Sequence, residues 1–295
     1  MNGLLPWERA GRVRAPRSRG AGGQADRGPG PRGAKVTALR FGLLGPVTAE
    51  YAGRPVPLGP PQRRAVLAAL LLARGRAVTV AALRDRIWTG SPPVSAVAAI
   101  QVHVHHLRRL FAEYGPEPRL VTHPGQPSDR VSYVLHTDPG SVDATRFQEL
   151  CRRAEAAAAD GDPAGAAALF DTALGLWRGE PFMDLPPSAY FASARRGLAD
   201  LRLDAGKRRA SALLAAGSTA RVAADLLDLH AEHPGDEALV VLLTTALCRS
   251  GARARALDLV TGELDRWQSD YGLRPPALLR QRERLVTGGG WHDED

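Results

Sequence analysis

The densest run of chemically capable side chains is Gln101-Val102-His103-Val104-His105-His106, followed at once by Leu107-Arg108-Arg109. Two chemistries suit such a run. His103 and His106 stand three residues apart and can share one face of a helix, as a metal pair would. Yet His105 points elsewhere, and no Cys or carboxylate lies in local ligand spacing, so no metal site is expected. The better fit is a helix lying in the major groove of duplex DNA. Amides, imidazoles and small apolar groups there meet base edges, while arginines anchor phosphates. On this reading Gln101, Val102, His105 and His106 contact bases. Arg108 and Arg109, with Arg64 and Arg130 from other elements, contact phosphates. An ordinary solvated helix face is the bland reading of the same residues.

Other chemistry is excluded more simply. The chain has no GxGxxG after a strand, no GxxxxGK[ST], no HExxH and no GxSxG. Acidic side chains in the second half are scattered over helix faces, where solvated surface explains them. No catalytic residue and no cofactor are therefore expected. Only two cysteines occur, Cys151 and Cys248, which rules out a disulfide scaffold or a Cys-rich zinc module. The longest apolar stretch, Ala65 to Ala73, is far short of the roughly 20 residues of a membrane span. No secretory signal core is visible, so a cytoplasmic location and no membrane partner are expected.

Charge sharpens the picture. The net charge is +8 over 295 residues, but it is unevenly divided. Residues 1–37 carry eight Lys/Arg against Glu8 and Asp26, and residues 38–135 carry twelve Arg against five acids. Residues 136–295 reverse the sign, with nineteen basic and twenty-four acidic side chains. A basic first half joined to an acidic second half suits a polyanion binder with a protein-facing module attached.

The elements that must hold the cluster can be read from turn residues and periodicity. Residues 1–37, rich in Gly, Arg and Pro, are expected to be a disordered basic segment. That segment is either an arm that adds phosphate affinity or a stretch upstream of the true translation start. Structure is expected from Ala38. Leu39, Phe41 and Leu43 alternate, and the runs Val47–Tyr51 and Val56–Leu58 follow across Gly45-Pro46 and Gly53, which predicts a small antiparallel sheet. A helix from Gln62 to Arg74 ends at Gly75, and a second, N-capped by Thr79, contains Leu83, Ile87 and Trp88. A third runs from about Ser95 to Tyr114, with Ala96, Ile100, Val104, Leu107 and Phe111 on one stripe. A hairpin of Leu120–Thr122 and Val131–Leu135 closes the set. Sheet, three helices and hairpin make a winged helix-turn-helix over residues 38–136.

From Val142 onward only helices are expected, Ala-rich and broken at Gly161-Asp162-Pro163, Gly179-Glu180-Pro181, Pro234-Gly235 and Gly272. Gly217 and Gly251 stand 34 residues apart, the period of a tetratricopeptide-type helical hairpin. The fold expected is therefore mainly α: a winged helix, then an all-α tetratricopeptide-like domain over residues 142–286, with a disordered tail at 287–295.

These motifs resemble a known family. Leu43-Leu44-Gly45-Pro46, Gln62-Arg63-Arg64-Ala65, Ile87-Trp88, Pro92-Pro93-Val94-Ser95-Ala96 and His103 to Leu110 are similar to the DNA-binding half of the Streptomyces antibiotic regulatory proteins, an OmpR/PhoB-type winged helix. Val142-Asp143, Leu176-Trp177-Arg178-Gly179-Glu180-Pro181, Arg249-Ser250-Gly251 and Tyr271-Gly272-Leu273-Arg274-Pro275 resemble the bacterial transcriptional activator domain of that family. The resemblance spans roughly residues 38–286. It implies a transcriptional activator of an antibiotic or other secondary-metabolite gene cluster, which binds double-stranded DNA at direct repeats, associates with itself there, and recruits RNA polymerase. Departures are visible: His105-His106 stand where the family usually has Ser-Arg, Ser132 replaces a wing glycine, and Val260 a tyrosine. The first of these implies altered base readout and pH sensitivity. It also favours the rival reading, a helical-repeat scaffold or effector-binding regulator with lost or weak DNA binding.

Overall fold

The computed structural model describes residues 38–90, 92–124 and 131–288. The expected disordered N-terminal segment, most of the expected tail, and the wing tip with Arg130 lie outside the described residues. The chain forms two compact units that are not separated at a single linker. The first combines the described residues up to Thr145 with Arg178–Gly197, and the second combines Arg146–Trp177 with the chain from Leu198 onward.

The first unit opens with the expected antiparallel sheet: β1 (Arg40–Gly42), β2 (Thr48–Tyr51) and β3 (Arg54–Val56), in sequential order. The β2–β3 turn holds Ala52 at φ 51 and Gly53 at φ 76. Two successive left-handed residues are the type I′ pattern, whose twist matches that of the flanking strands. Pro55, which cannot donate to a ladder, sits on the edge strand β3.

Helix α1 (Pro61–Leu72) begins with proline at its first turn, where a missing N–H costs no helical hydrogen bond. Every residue from Ala65 to Leu72 is buried, so α1 is the axis of the unit rather than an amphipathic cover. Helix α2 (Val80–Ile87) is capped as expected, with Thr79 Oγ1 accepting from the Ala82 N–H at 3.1 Å. Trp88, expected inside this helix, is instead its extended C-cap at φ −108 and ψ 136, because the Pro92-Pro93 break follows so closely. Helix α3 (Ala96–Ala112) buries the predicted stripe of Ala96, Ile100, Val104, Leu107 and Phe111 and packs on α1 and α2. The Phe111 ring meets Phe41 of β1 edge-on at 6.0 Å.

Strands β5 (Arg119–His123) and β6 (Ser132–His136) form the hairpin, in register from Arg119↔His136 to His123↔Ser132. Periodicity did not disclose a further strand, β4 (Val78–Thr79), which pairs with β6 through Val78↔Tyr133 in a sheet of order β4-β6-β5. Two residues are too few to show alternation.

The start of α4 (Asp143–Ala159) closes this unit with a carboxylate. Asp143 accepts from the N–H groups of Leu43 at 2.7 Å and Leu44 at 3.1 Å. Burial pushes its carboxyl pKa up, against the lowering effect of those two donors and of Arg178. The segment from Arg178 onward satisfies the rest of the same turn. The Arg178 N–H donates to the Leu44 carbonyl at 2.7 Å, the Phe182 N–H to the Gly45 carbonyl at 2.9 Å, and the Val47 N–H to Asp184 Oδ1 at 2.8 Å. A Cβ at Gly42 would meet the Arg178 guanidinium and Thr48 Oγ1, so a side chain there would displace Arg178 from this turn.

The second unit is helical throughout its described residues. It takes α4 from Arg146, α5 (Pro163–Leu174), α6 (Ala189–Ala215) from Leu198, α7 (Thr219–Glu232), α8 (Glu237–Arg249), α9 (Arg253–Tyr271) and α10 (Pro276–Thr287). Ala166, Ala167 and Ala212 pack together, small side chains at a close helix crossing. The 34-residue spacing marks equivalent places: Gly217 at φ 79 and Gly251 at φ 82 each end one helix just before the next begins. The successive pairs α7–α8 and α9–α10 pack into one core around Leu239, Val240, Leu243, Val260, Leu264 and Leu278. A buried polar bridge ties α10 to α8, with Gln281 Nε2 donating to Thr244 Oγ1 at 2.9 Å.

Candidate nucleic-acid interface

Helix α3 has the two faces that a reading helix needs. One is pinned by its buried stripe. The other leaves Gln101, Val102, His105, Arg108 and Arg109 exposed, with His103 and His106 half-buried at its margin. Val102 keeps 52% of its surface in solvent, a β-branched apolar group among polar neighbours, as contact with a thymine methyl requires. No acidic residue occupies the first turn of α3, so the positive end of the helix dipole is unopposed.

The four arginines singled out from sequence have different fates. Arg109 is exposed, with no salt bridge or side-chain hydrogen bond to other described residues. Arg108 reaches sideways to the hairpin: its Nε donates to the Leu120 carbonyl at 2.9 Å and its guanidinium to Thr122 Oγ1 at 2.5 Å. It also lies over the Tyr133 ring, 5.9 Å from the centroid. Burial raises the Tyr133 pKa, with Arg108 opposing that rise. Arg108 is thus the brace that sets the wing against α3. Arg64 turns inward. Its Nε is 2.7 Å from Asp184 Oδ2, and its other nitrogens donate to the Gly59 carbonyl at 2.6 Å and the Asp184 carbonyl at 3.3 Å. Arg64 thus ties the start of α1 to Asp184. Arg130 lies outside the described residues.

The neighbouring Arg63 was not singled out from sequence, yet its charge acts on two imidazoles of α3. It is the leading cause lowering the His106 pKa, followed by partial burial, His105 and Arg109. For His103 burial acts first, then Arg63 and His106, again downward. The only available signal was the doublet Arg63-Arg64 itself. Adjacent helical residues diverge by about 100°, so only one of the two can face a given neighbour.

The segment after Arg178 also reaches α2. Ser188 Oγ donates to the Arg86 carbonyl at 2.5 Å, and the Arg86 guanidinium stacks 4.7 Å from the Tyr190 centroid. With the Arg64–Asp184 pair, it holds the ends of both helices that support α3. Among the described residues, no three His, Cys, Asp or Glu side chains converge as a metal site would need. None of the described helices is long and apolar enough to cross a membrane.

Comparison with known proteins agrees with this arrangement. Residues 53–126 match the family model "Transcriptional regulatory protein, C terminal", and residues 142–285 match "Bacterial transcriptional activator domain". The chain is 35% identical over 254 residues to the regulatory protein AfsR of Streptomyces griseus, covering 86% of this chain and 25% of that protein. It is 31% identical over 292 residues to the transcriptional regulator RedD of Streptomyces coelicolor, covering 96% of this chain and 81% of RedD. A solved structure of Mycobacterium tuberculosis EmbR, in complex with a low-affinity phosphopeptide, superposes with a TM-score of 0.80 at 33% identity, covering 86% of this chain and 66% of that one. The chain therefore spans about a quarter of the length of AfsR.

Proposed function

Because the chain belongs to the Streptomyces antibiotic regulatory protein family of transcriptional regulators, we propose that it is a sequence-specific DNA-binding activator of a secondary-metabolite gene cluster. It binds direct repeats near promoters and recruits RNA polymerase, without catalysis. One observation carries the reading most strongly: α3 presents Gln101, Val102, His105 and Arg109 as one solvent face over a rigid buried stripe, beside a hairpin that Arg108 braces. Base edges fall to Gln101, Val102, His105 and His106, and a backbone phosphate to Arg109.

A gel shift on the promoter adjacent to the gene, run over a salt series, tests this. Affinity should fall steeply with salt, since each phosphate contact adds about 0.9 to the log–log slope. Arg109→Ala should lower that slope by about one. An unchanged slope removes Arg109 from the interface, and no shift at any salt removes DNA as the partner.

A second reading, an effector-binding regulator, has its own observation. A cavity of about 480 Å³ lies at the end of α1, with Leu70, Leu71, Leu135 and Val142 as apolar lining and Arg74 and His136 as polar lining. That volume is within the range of small-molecule sites. A ligand there should raise the melting temperature of wild type but not of a Leu71→Trp variant, which fills the space.

A further inference from the structure

We propose that the cavity at the end of α1 binds a small organic acid, with its apolar body against Leu70, Leu71, Leu135 and Val142 and its carboxylate on Arg74. The inference rests on the effector-binding reading and adds the chemical class of the effector.

The walls of the cavity come from the last turns of α1, the end of β6 and the start of α4, all within the first unit. Each wall is fixed by contacts of its own. Leu70 and Leu71 belong to the buried run of α1, and Leu135 pairs with Leu120 in the hairpin. Val142 bridges to Phe41, and the next residue, Asp143, holds the N–H groups of Leu43 and Leu44. Protein interiors are normally close-packed, so about 480 Å³ of preformed space with four aliphatic walls suits a ligand.

Polarity decides the charge of that ligand. Arg74 follows the end of α1 with its backbone in the left-handed region, at φ 49, where Gly or Asn is usual. An arginine kept there brings a guanidinium to the cavity at a cost in backbone strain, as ligand contacts often do. Burial, and then the charge of Arg76, hold its pKa below the ordinary value. A cation short of water and beside a like charge is relieved on both counts by an anion. Arg76 itself turns back, its Nε donating to the Ala73 carbonyl at 3.1 Å.

A cationic ligand has no comparable place. The Leu70 and Leu71 carbonyls, at the negative end of α1, accept from the Ala73 and Arg74 N–H groups. Of the two acids that line the cavity, Asp138 accepts from the Gly140 N–H at 3.1 Å within its own turn. Glu117 lies on the exposed connection between α3 and β5, where water screens its charge.

Decanoate is the probe, with decanol and decylamine as compounds of equal length and different charge. Binding to the full chain is followed by calorimetry and by NMR of the Leu71, Leu135 and Val142 methyl groups. Decanoate should bind about tenfold more tightly than either of the others, the usual gain from a hydrogen bond to a charged group. Arg74→Asn suits the left-handed backbone and carries no charge; it should bring decanoate down to the affinity of decanol. Leu71→Trp should abolish binding of all three. Decanol or decylamine binding wild type as tightly as decanoate overturns the acid assignment and leaves the effector reading standing. A decanoate preference that survives Arg74→Asn does the same. If none of the three binds wild type, or binding shifts none of those methyl groups, the effector reading falls and the acid assignment with it.

Discussion

At the scale of single residues, arginines of equal charge divide between holding the protein together and facing outward. Arg108 and Arg109 are adjacent, yet the first spends its donors on Leu120 and Thr122 while the second has no such bond. Removing Arg108 should therefore act through the hairpin. Arg108→Ala is expected to weaken DNA binding with a smaller loss of salt slope than Arg109→Ala. It should also speed amide exchange in Arg119–His123, because the side chain that anchors that strand to α3 is gone. Equal slope losses and unaltered exchange would show that Arg108 acts on phosphate rather than on the wing.

Among the elements, α8 offers the cleanest test of a cap. Asp236 accepts from the Leu239 N–H at 2.9 Å and pairs with Lys207 at 2.8 Å. Burial favours its neutral form, but the Lys207 and backbone hydrogen bonds outweigh that and hold its carboxyl pKa below the ordinary 3.8. A depressed folded-state pKa means stabilisation that is complete above the unfolded value and is lost as pH falls through the folded one. Asp236→Ala should cost about 1 kcal/mol near neutrality, the usual worth of such a cap. The difference between the two melting curves should shrink below about pH 4. A gap that persists at low pH would assign the loss to packing. The buried Gln281–Thr244 bridge, a neutral pair, predicts no such pH dependence.

For the whole molecule, the first compact unit is completed by residues remote in sequence. A fragment of residues 38–136 lacks Asp143 and Asp184, so the N–H groups of Leu43, Leu44 and Val47 lose their acceptors. Each such lost hydrogen bond costs about 0.5–1.5 kcal/mol. The fragment should melt well below the full chain, and an equal melting temperature would mean that the Arg178–Gly197 segment is dispensable. On DNA, direct repeats lack the dyad of a symmetric dimer, so two protomers in tandem should meet one face of the duplex with sites about one helical turn apart. Inserting five base pairs between repeats should abolish cooperative binding, and a full turn should partly restore it. Indifference to both insertions would point to one protomer per site.

The sequence by itself determined whatever depends on near neighbours. The buried stripe of α3, the stop of α1 before Gly75, the Thr79 cap, the β5–β6 pairing and the 34-residue spacing from Gly217 to Gly251 are all written in local periodicity and turn chemistry. The exposed run of Gln101, Val102, His105 and Arg109 follows from the same period, since a helix with one stripe buried must show the other. Only the tertiary structure decided the rest, because it depends on residues brought together across long stretches of chain. Val78 becomes a strand only by pairing with Tyr133. Arg178, Phe182 and Asp184 serve the turn at Leu43–Val47 from more than 130 positions away. Of the adjacent pair Arg63 and Arg64, it is Arg64 that Asp184 captures, with its Nε 2.7 Å from a carboxylate oxygen far along the chain. No local rule separates two adjacent arginines; the position of a distant carboxylate does.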